Sequence, residues 1–372
     1  MSPKASKTLC AAYAAVVIFF AASIFVMPHR RFSPEENRIL SEPPRLTANA
    51  LLDGGFAKDT GDFFADHFPF RTELLKLNSA YTLALGRLEC GSVMRGKNNN
   101  LIKRLEIYDE NALKSNLKAI KELRQRAEDR GISTVFLCAP RAIDALSAYT
   151  PLPLSSDTEL WEIFKENNAL CITSLLKEKA DSGEYVYFHT DHHWTPLGAY
   201  YAYVTLGERL GYEPYPLSAF NEAEVCSDFF GSSYSASLMP NAVPDSIIAL
   251  RCERDSDVQV KDKSTGEVSG LYNSSALDGT SKYDYFLGGN KAYLKIESGD
   301  KPRLVLIKDS FANSLVPFLS LHFNIDLIDP RYLREPLDRL LNSIYDEGDI
   351  HALLILYNPE TLCADAGLKK FS

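Results

Sequence analysis

From about residue 101 onward, short apolar runs alternate with amphipathic stretches of helical spacing, and this rhythm constrains the fold more than any other feature. Ser133 to Ala139 is one such run, stopped by Pro140; Arg303 to Ile307, Asn324 to Ile328 and Ala352 to Leu356 are others. Runs that are apolar at every position read as strands covered on two faces, which calls for helices on both sides of a sheet. Asp109 stands as an N-cap ahead of Leu113, Leu117, Ile120, Leu123 and Ala127, which share one helical face, and Gly131 is the stop. Tyr185 to His189 is expected to be a further strand, and Thr195-Pro196 begins a helix that reaches Leu210 before Gly211. The expected class is layered α/β.

The amino terminus is of another kind. No residue from Leu9 to Met27 is charged, and at a helical rise of about 1.5 Å per residue the run is long enough to span a bilayer. Lys4 and Lys7 precede it, and His29-Arg30-Arg31 follow. Its end, Ile24 to Pro28, lacks the small residues of a cleavage site, so a single-pass signal anchor is expected, with secretion after cleavage as the alternative. The division expected is 1–28 as cytoplasmic tail and transmembrane anchor, 29–100 as stalk and helical lead-in, and 101–372 as an extracytoplasmic domain. Gly61 to Leu88 looks helical, with His67 and Arg71 at its entry anchoring it to that domain or, as the alternative, meeting substrate. The Ser-, Gly-, Asp- and Tyr-rich stretch of about 214–300 interrupts the α/β rhythm and is expected as hairpins over one end of the sheet.

A formal charge of −9 without a basic stripe excludes a nucleic-acid partner. Of seven cysteines, Cys10 lies in the apolar run, and no pair among the rest has zinc-ligand spacing.

The chemistry sits in two segments. Thr190-Asp191-His192-His193-Trp194-Thr195-Pro196 sets an acid and imidazoles before a helix, and Lys308-Asp309-Ser310-Phe311 puts a serine at a strand exit. A serine hydroxyl needs an imidazole to take its proton, and the imidazole needs a carboxylate to fix its tautomer. Asp191 and His193, two apart in an extended chain, lie on one face, with His192 turned away. Asn358, after the strand ending at Leu356, can donate to an oxyanion; Arg141 and Arg331 also follow buried strands and can meet an anionic sugar or serve in salt bridges. His189, Asp191 and His193 alternate in a way that zinc could use, but no second ligand cluster accompanies them, so neither a metal nor another cofactor is expected.

Asp191-His192-His193-Trp194, the early Phe64-Ala65-Asp66-His67-Phe68-Pro69-Phe70-Arg71, the late Lys308-Asp309-Ser310-Phe311 and Tyr285 to Asn290 together resemble the DHHW family of bacterial surface proteins. That family is similar to the SGNH-like proteins of alginate O-acetylation. The resemblance implies an SGNH-like, flavodoxin-like three-layer sandwich with the motif order permuted, because the acid–base pair precedes the serine. It implies Asp191 as orienter, His193 as base and Ser310 as nucleophile, with Asn358, His192, Trp194, Arg331 and Arg141 as oxyanion or substrate candidates. The sequence departs from ordinary SGNH esterases at Lys308, where a glycine is usual, and Gly231 is a candidate for their glycine donor. The implied activity is that of a serine O-acetyltransferase or acetylesterase on a cell-surface or exported polysaccharide, in a bacterial membrane, with a polytopic membrane O-acyltransferase as a partner. The alternative is a non-catalytic surface protein that binds polysaccharide or scaffolds an export complex.

Overall fold

The computed structural model describes residues 3–26, 28–104, 108–150, 158–364 and 366–368. The chain divides into two compact units, Met1–Cys90 with Ser235–Asn241, and Gly91–Tyr234 with Ala242–Ser372.

The first unit opens with the helix Pro3–Val26. Among the described residues it holds the one segment, Ala5–Ile24 with a mean hydropathy of 1.9, long and apolar enough to cross a membrane. Gly61 to Leu88 is not one helix. Gly55–Asp66 and Arg71–Ala84 are separated by a break at which Phe70 takes φ 60°. The cause is Pro69, which has no amide to donate and drives the residue before it out of helical geometry. His67 and Arg71 find their partners inside this unit. The His67 ring meets the Phe63 and Arg30 carbonyls, and Arg71 pairs with Glu36 at 2.9 Å.

The second unit is built on a mixed sheet. Its strands, with those of an adjoining hairpin, are β1 Ser133–Cys138, β2 Leu170–Cys171, β3 Asn221–Phe229, β4 Asp245–Arg251, β5 Gln259–Asp262, β6 Val268–Ser269, β7 Tyr293–Glu297, β8 Arg303–Lys308, β9 Asn324–Ile328 and β10 Ala352–Tyr357. The eight-stranded sheet runs β6-β5-β7-β9-β8-β10-β1-β2. From β9 to β2 the pairing is parallel; β7, β5 and β6 extend it antiparallel. Alternation along β8 shows why both faces are apolar. Leu304 and Leu306 join the core beneath the helices Thr173–Asp181 and Pro196–Leu210, whereas Val305 and Ile307 join the core beneath Glu110–Glu128 and Leu337–Asp346. All four are fully buried, each contributing roughly 1.5–3 kcal/mol relative to exposure. The three-layer SGNH-like sandwich is the fold of this unit.

Two expectations change. Tyr185–His189 is not a strand: Tyr187 makes a lone bridge to Trp194, so the Asp-His-His segment is a tight turn. Part of 214–300 enters the sheet itself as β5, β6 and β7, while β3 and β4 form a separate hairpin.

Candidate active site

Ser310 follows β8 at the start of a short 3-10 turn, Ser310–Ser314, capped by Asp309, whose Oδ1 accepts from the Phe311 amide at 3.0 Å. The other Asp309 oxygen accepts from the amide of Asn358 at 2.7 Å, tying the ends of β8 and β10 together. A 3-10 turn followed by the four-residue helix Val316–Leu319 carries little dipole, so the serine relies on nearby donors rather than on a long helix.

The Asp-His-His turn is stapled by a buried carboxylate. Asp245, at the start of β4, accepts from the amides of His189 and Thr190 at 2.8 and 2.7 Å and from the Thr190 hydroxyl at 2.6 Å. Inside the turn, Asp191 Oδ1 accepts from the His193 amide at 2.9 Å and from its Nδ1 at 2.6 Å, while Oδ2 accepts from the Ser232 amide at 2.7 Å. Because Asp191 can only accept, Nδ1 carries the proton, and Nε2 is left to accept from the Ser310 hydroxyl at 2.7 Å. Burial alone would raise the Asp191 carboxyl, but the His193 and His192 charges and the hydrogen bonds to it hold it well below the usual range. Tyr283 stacks on the His193 ring at 4.0 Å and 7° and donates to Ser314 Oγ at 3.1 Å, fixing the imidazole plane.

His192 is not turned away. In a turn, unlike an extended chain, successive side chains can meet, and its ring lies 3.8 Å from that of His193 with Nδ1 2.5 Å from Ser232 Oγ. Burial, reinforced by the His193 charge, lowers His192 to about 4. The unfolded chain therefore binds more protons than the folded one between roughly pH 6.5 and 4, and stability falls as pH drops through that window. His192→Gln should flatten this acid slope, read by urea unfolding at neutral pH and at about pH 5; an unchanged slope would assign it to other groups.

Trp194 is fully buried and contacts no open surface. Its indole N–H donates to the Phe311 carbonyl at 2.9 Å and to Ser314 Oγ at 3.1 Å, so the tryptophan of the motif clamps the turn that bears the serine. Asn358, Arg141 and His192 come together with Lys103, Phe311 and Glu360 around a small recess, whose wall includes the residue that follows Ser310 but not Ser310 itself. Asn358 Nδ2 spends one proton on the Ala139 carbonyl at 3.0 Å. Arg141 is ion-paired with Asp144 at 2.7 Å. Arg331 does not line the recess; it pairs with Asp329 at 2.7 Å. Gly231 donates its amide to Thr190 Oγ1 and lies flat against Asp191, where a Cβ would come within 2.2 Å of the Asp191 Cβ.

Lys308, where a glycine was the comparison, is fully buried with Nζ 2.7 Å from Asn290 Oδ1, 2.8 Å from Asn313 Oδ1 and 3.6 Å from Asp329. Burial lowers it to about 8 against the pull of Asp329. Asn290 thus gives the Tyr285 to Asn290 motif a role: it is the amide that receives this lysine.

Among the described residues one trio, Asp191, His192 and His193, brings metal-type ligand atoms within 4.8 Å of one another. Those atoms are already engaged, by His193 and Ser232 at the acid and by Ser232 and Ser310 at the two rings. His189 lies elsewhere, 3.5 Å from Asp245.

Asp245, Ser232 and Tyr283 went unnoticed in the sequence because each acts across 40 residues or more on the turn. A family model described as DHHW protein covers residues 160–328, a span that includes the turn, Ser310 and all three of these partners. The match is to the DHHW family. A second model, described as the SGNH hydrolase-like domain of acetyltransferase AlgX, matches residues 93–226. A DHHW family protein from Eubacterium siraeum superposes with a TM-score of 0.56 at 21% identity, covering 74% of this chain and 97% of that one. Bacillus cereus PatB1, solved with a sulfonyl adduct, superposes with a TM-score of 0.62 at 20% identity, covering 75% and 98%. No curated protein matches the chain. At these identities the DHHW and PatB1 structures speak for the fold.

Proposed function

We propose that this chain is a membrane-anchored serine acyltransferase or esterase that adds acetyl groups to, or removes them from, a cell-surface or exported polysaccharide. One observation carries the proposal: a buried carboxylate, an imidazole and a serine hydroxyl joined in series at 2.6 and 2.7 Å. The acetyltransferase named by the second family model supports the acyl class, and the apolar helix Pro3–Val26 supports attachment to a membrane.

In this reading His193 Nε2 takes the Ser310 proton as Oγ attacks the acyl carbonyl. The Ser310 amide and the second Asn358 Nδ2 proton are the donors this reading assigns to the oxyanion that forms. Collapse expels the donor's leaving group, which receives the proton from His193 and leaves acyl-Ser310. A sugar hydroxyl, or water, then gives its proton to His193 and attacks; the second collapse returns the proton to Ser310. Asp191 stays ionised throughout and stabilises the imidazolium.

Water and sugar are distinguished by product. Incubation with a chromogenic acetyl ester and a soluble oligosaccharide should transfer acetyl to the sugar, detected by mass spectrometry, or release free acetate. A folded protein that forms neither product would oppose the enzymatic reading. A polytopic membrane O-acyltransferase as acyl donor belongs to the same proposal, since an acyl donor must reach Ser310 from outside this chain.

A further inference from the structure

We infer that the helix Arg71–Ala84 is an interfacial helix that lies along the lipid bilayer, so that the first unit is held to the membrane by a surface as well as by a span. The inference rests on the anchor reading of Pro3–Val26 and is independent of the chemistry at Ser310. Leu74, Leu77, Tyr81 and Leu85 are 41%, 64%, 62% and 59% exposed. At positions i, i+3, i+7 and i+11 they form one narrow stripe along the helix. Half a turn away Ser79 is buried, its hydroxyl donating to the Ser237 carbonyl at 2.6 Å. Packing therefore fixes which face is in and leaves the apolar stripe out. Contiguous apolar surface of this kind marks a binding face rather than scatter.

The geometry of the unit says what covers it. Phe20, inside the apolar span, stacks on Phe68 with ring centroids 5.1 Å apart and planes at 19°. Phe20 lies four residues before the end of the span at Ile24, about 6 Å along a helix. The elbow at Phe68 to Phe70 is thus level with the last turn of the span, and the helix Arg71–Ala84 starts from that depth. Phe70, 53% exposed, heads the stripe. Amphipathic helices of this type bury their apolar face about 5–10 Å into the boundary between headgroups and acyl chains, and Tyr81 is of the residue type that favours that layer.

The test uses the full chain reconstituted into phosphatidylcholine vesicles with and without brominated acyl chains, which quench indole fluorescence on contact. Leu77→Trp and Tyr81→Trp report the stripe, Lys76→Trp the flank of the same helix and Phe19→Trp the span, each read as a difference from the unsubstituted protein. The expected result is quenching of the Leu77, Tyr81 and Phe19 probes and little at Lys76. Quenching at Phe19 alone would overturn the interfacial helix while leaving the anchor standing, and would point to a protein partner or a second copy on the stripe. No quenching at Phe19 would remove the anchor and this inference with it.

Discussion

Ser310→Ala is expected to lower esterase kcat by roughly 10⁴-fold or more while leaving the fold intact. The alanine removes the attacking oxygen and one hydrogen bond, to His193 Nε2, so unfolding free energy should change by no more than about 1 kcal/mol. His193→Ala should lose as much, and the double variant should be little worse than either, because the groups act as one unit. Hydrolysis of a chromogenic acetyl ester by each purified protein checks this. Losses that multiply in the double variant would mean that the serine and histidine serve separate steps.

Gly231→Ala is expected to damage the site without replacing any of the three reacting groups. The added methyl carbon would sit 2.2 Å from the Asp191 Cβ and 2.4 Å from its Oδ2, so either the carboxylate or the Phe230 to Ser232 backbone must move. Overpacking of this kind costs about 1–3 kcal/mol. Any displacement of Asp191 also breaks its bond from the Ser232 amide and turns the imidazole, and a misplacement of about 1 Å can lower kcat by roughly 10²-fold. The loss should appear in kcat rather than KM, with a parallel loss in urea stability. Wild-type kcat in Gly231→Ala would mean that Asp191 is not held by this contact.

The sequence exposed what local rules dictate. Strands buried on both faces, such as β8 and β10, are apolar at nearly every position. The helix Pro196–Leu210 is bracketed by Thr195, whose hydroxyl accepts from the Gly198 amide, and by Gly211 at φ 75°. Asp191, His193 and Ser310 could be grouped because their chemistry is complementary and the motifs resemble a known family. What long-range contacts decide stayed hidden. Asp245 is an ordinary acid at a strand start until it accepts three hydrogen bonds from a turn some 55 residues away. Periodicity read Tyr185–His189 as a strand because alternation looks the same in a strand and in a turn closed by one bridge. Trp194 read as a substrate residue because nothing local shows that its N–H is spent on the turn that carries Ser310. Asn290 and Lys308 gave no sign of each other, since a buried lysine is recognisable only with the amides around it.

Covalent trapping reads the Ser310 nucleophile itself. The protein is mixed briefly with a chromogenic acetyl ester, or with a sulfonyl fluoride, and its intact mass and peptide map are recorded beside those of Ser310→Ala. One acyl or sulfonyl group is expected on wild type, mapped to Ser310, and none on the variant. A folded wild-type protein that takes up no group, or an adduct that persists in Ser310→Ala, would contradict a nucleophilic Ser310.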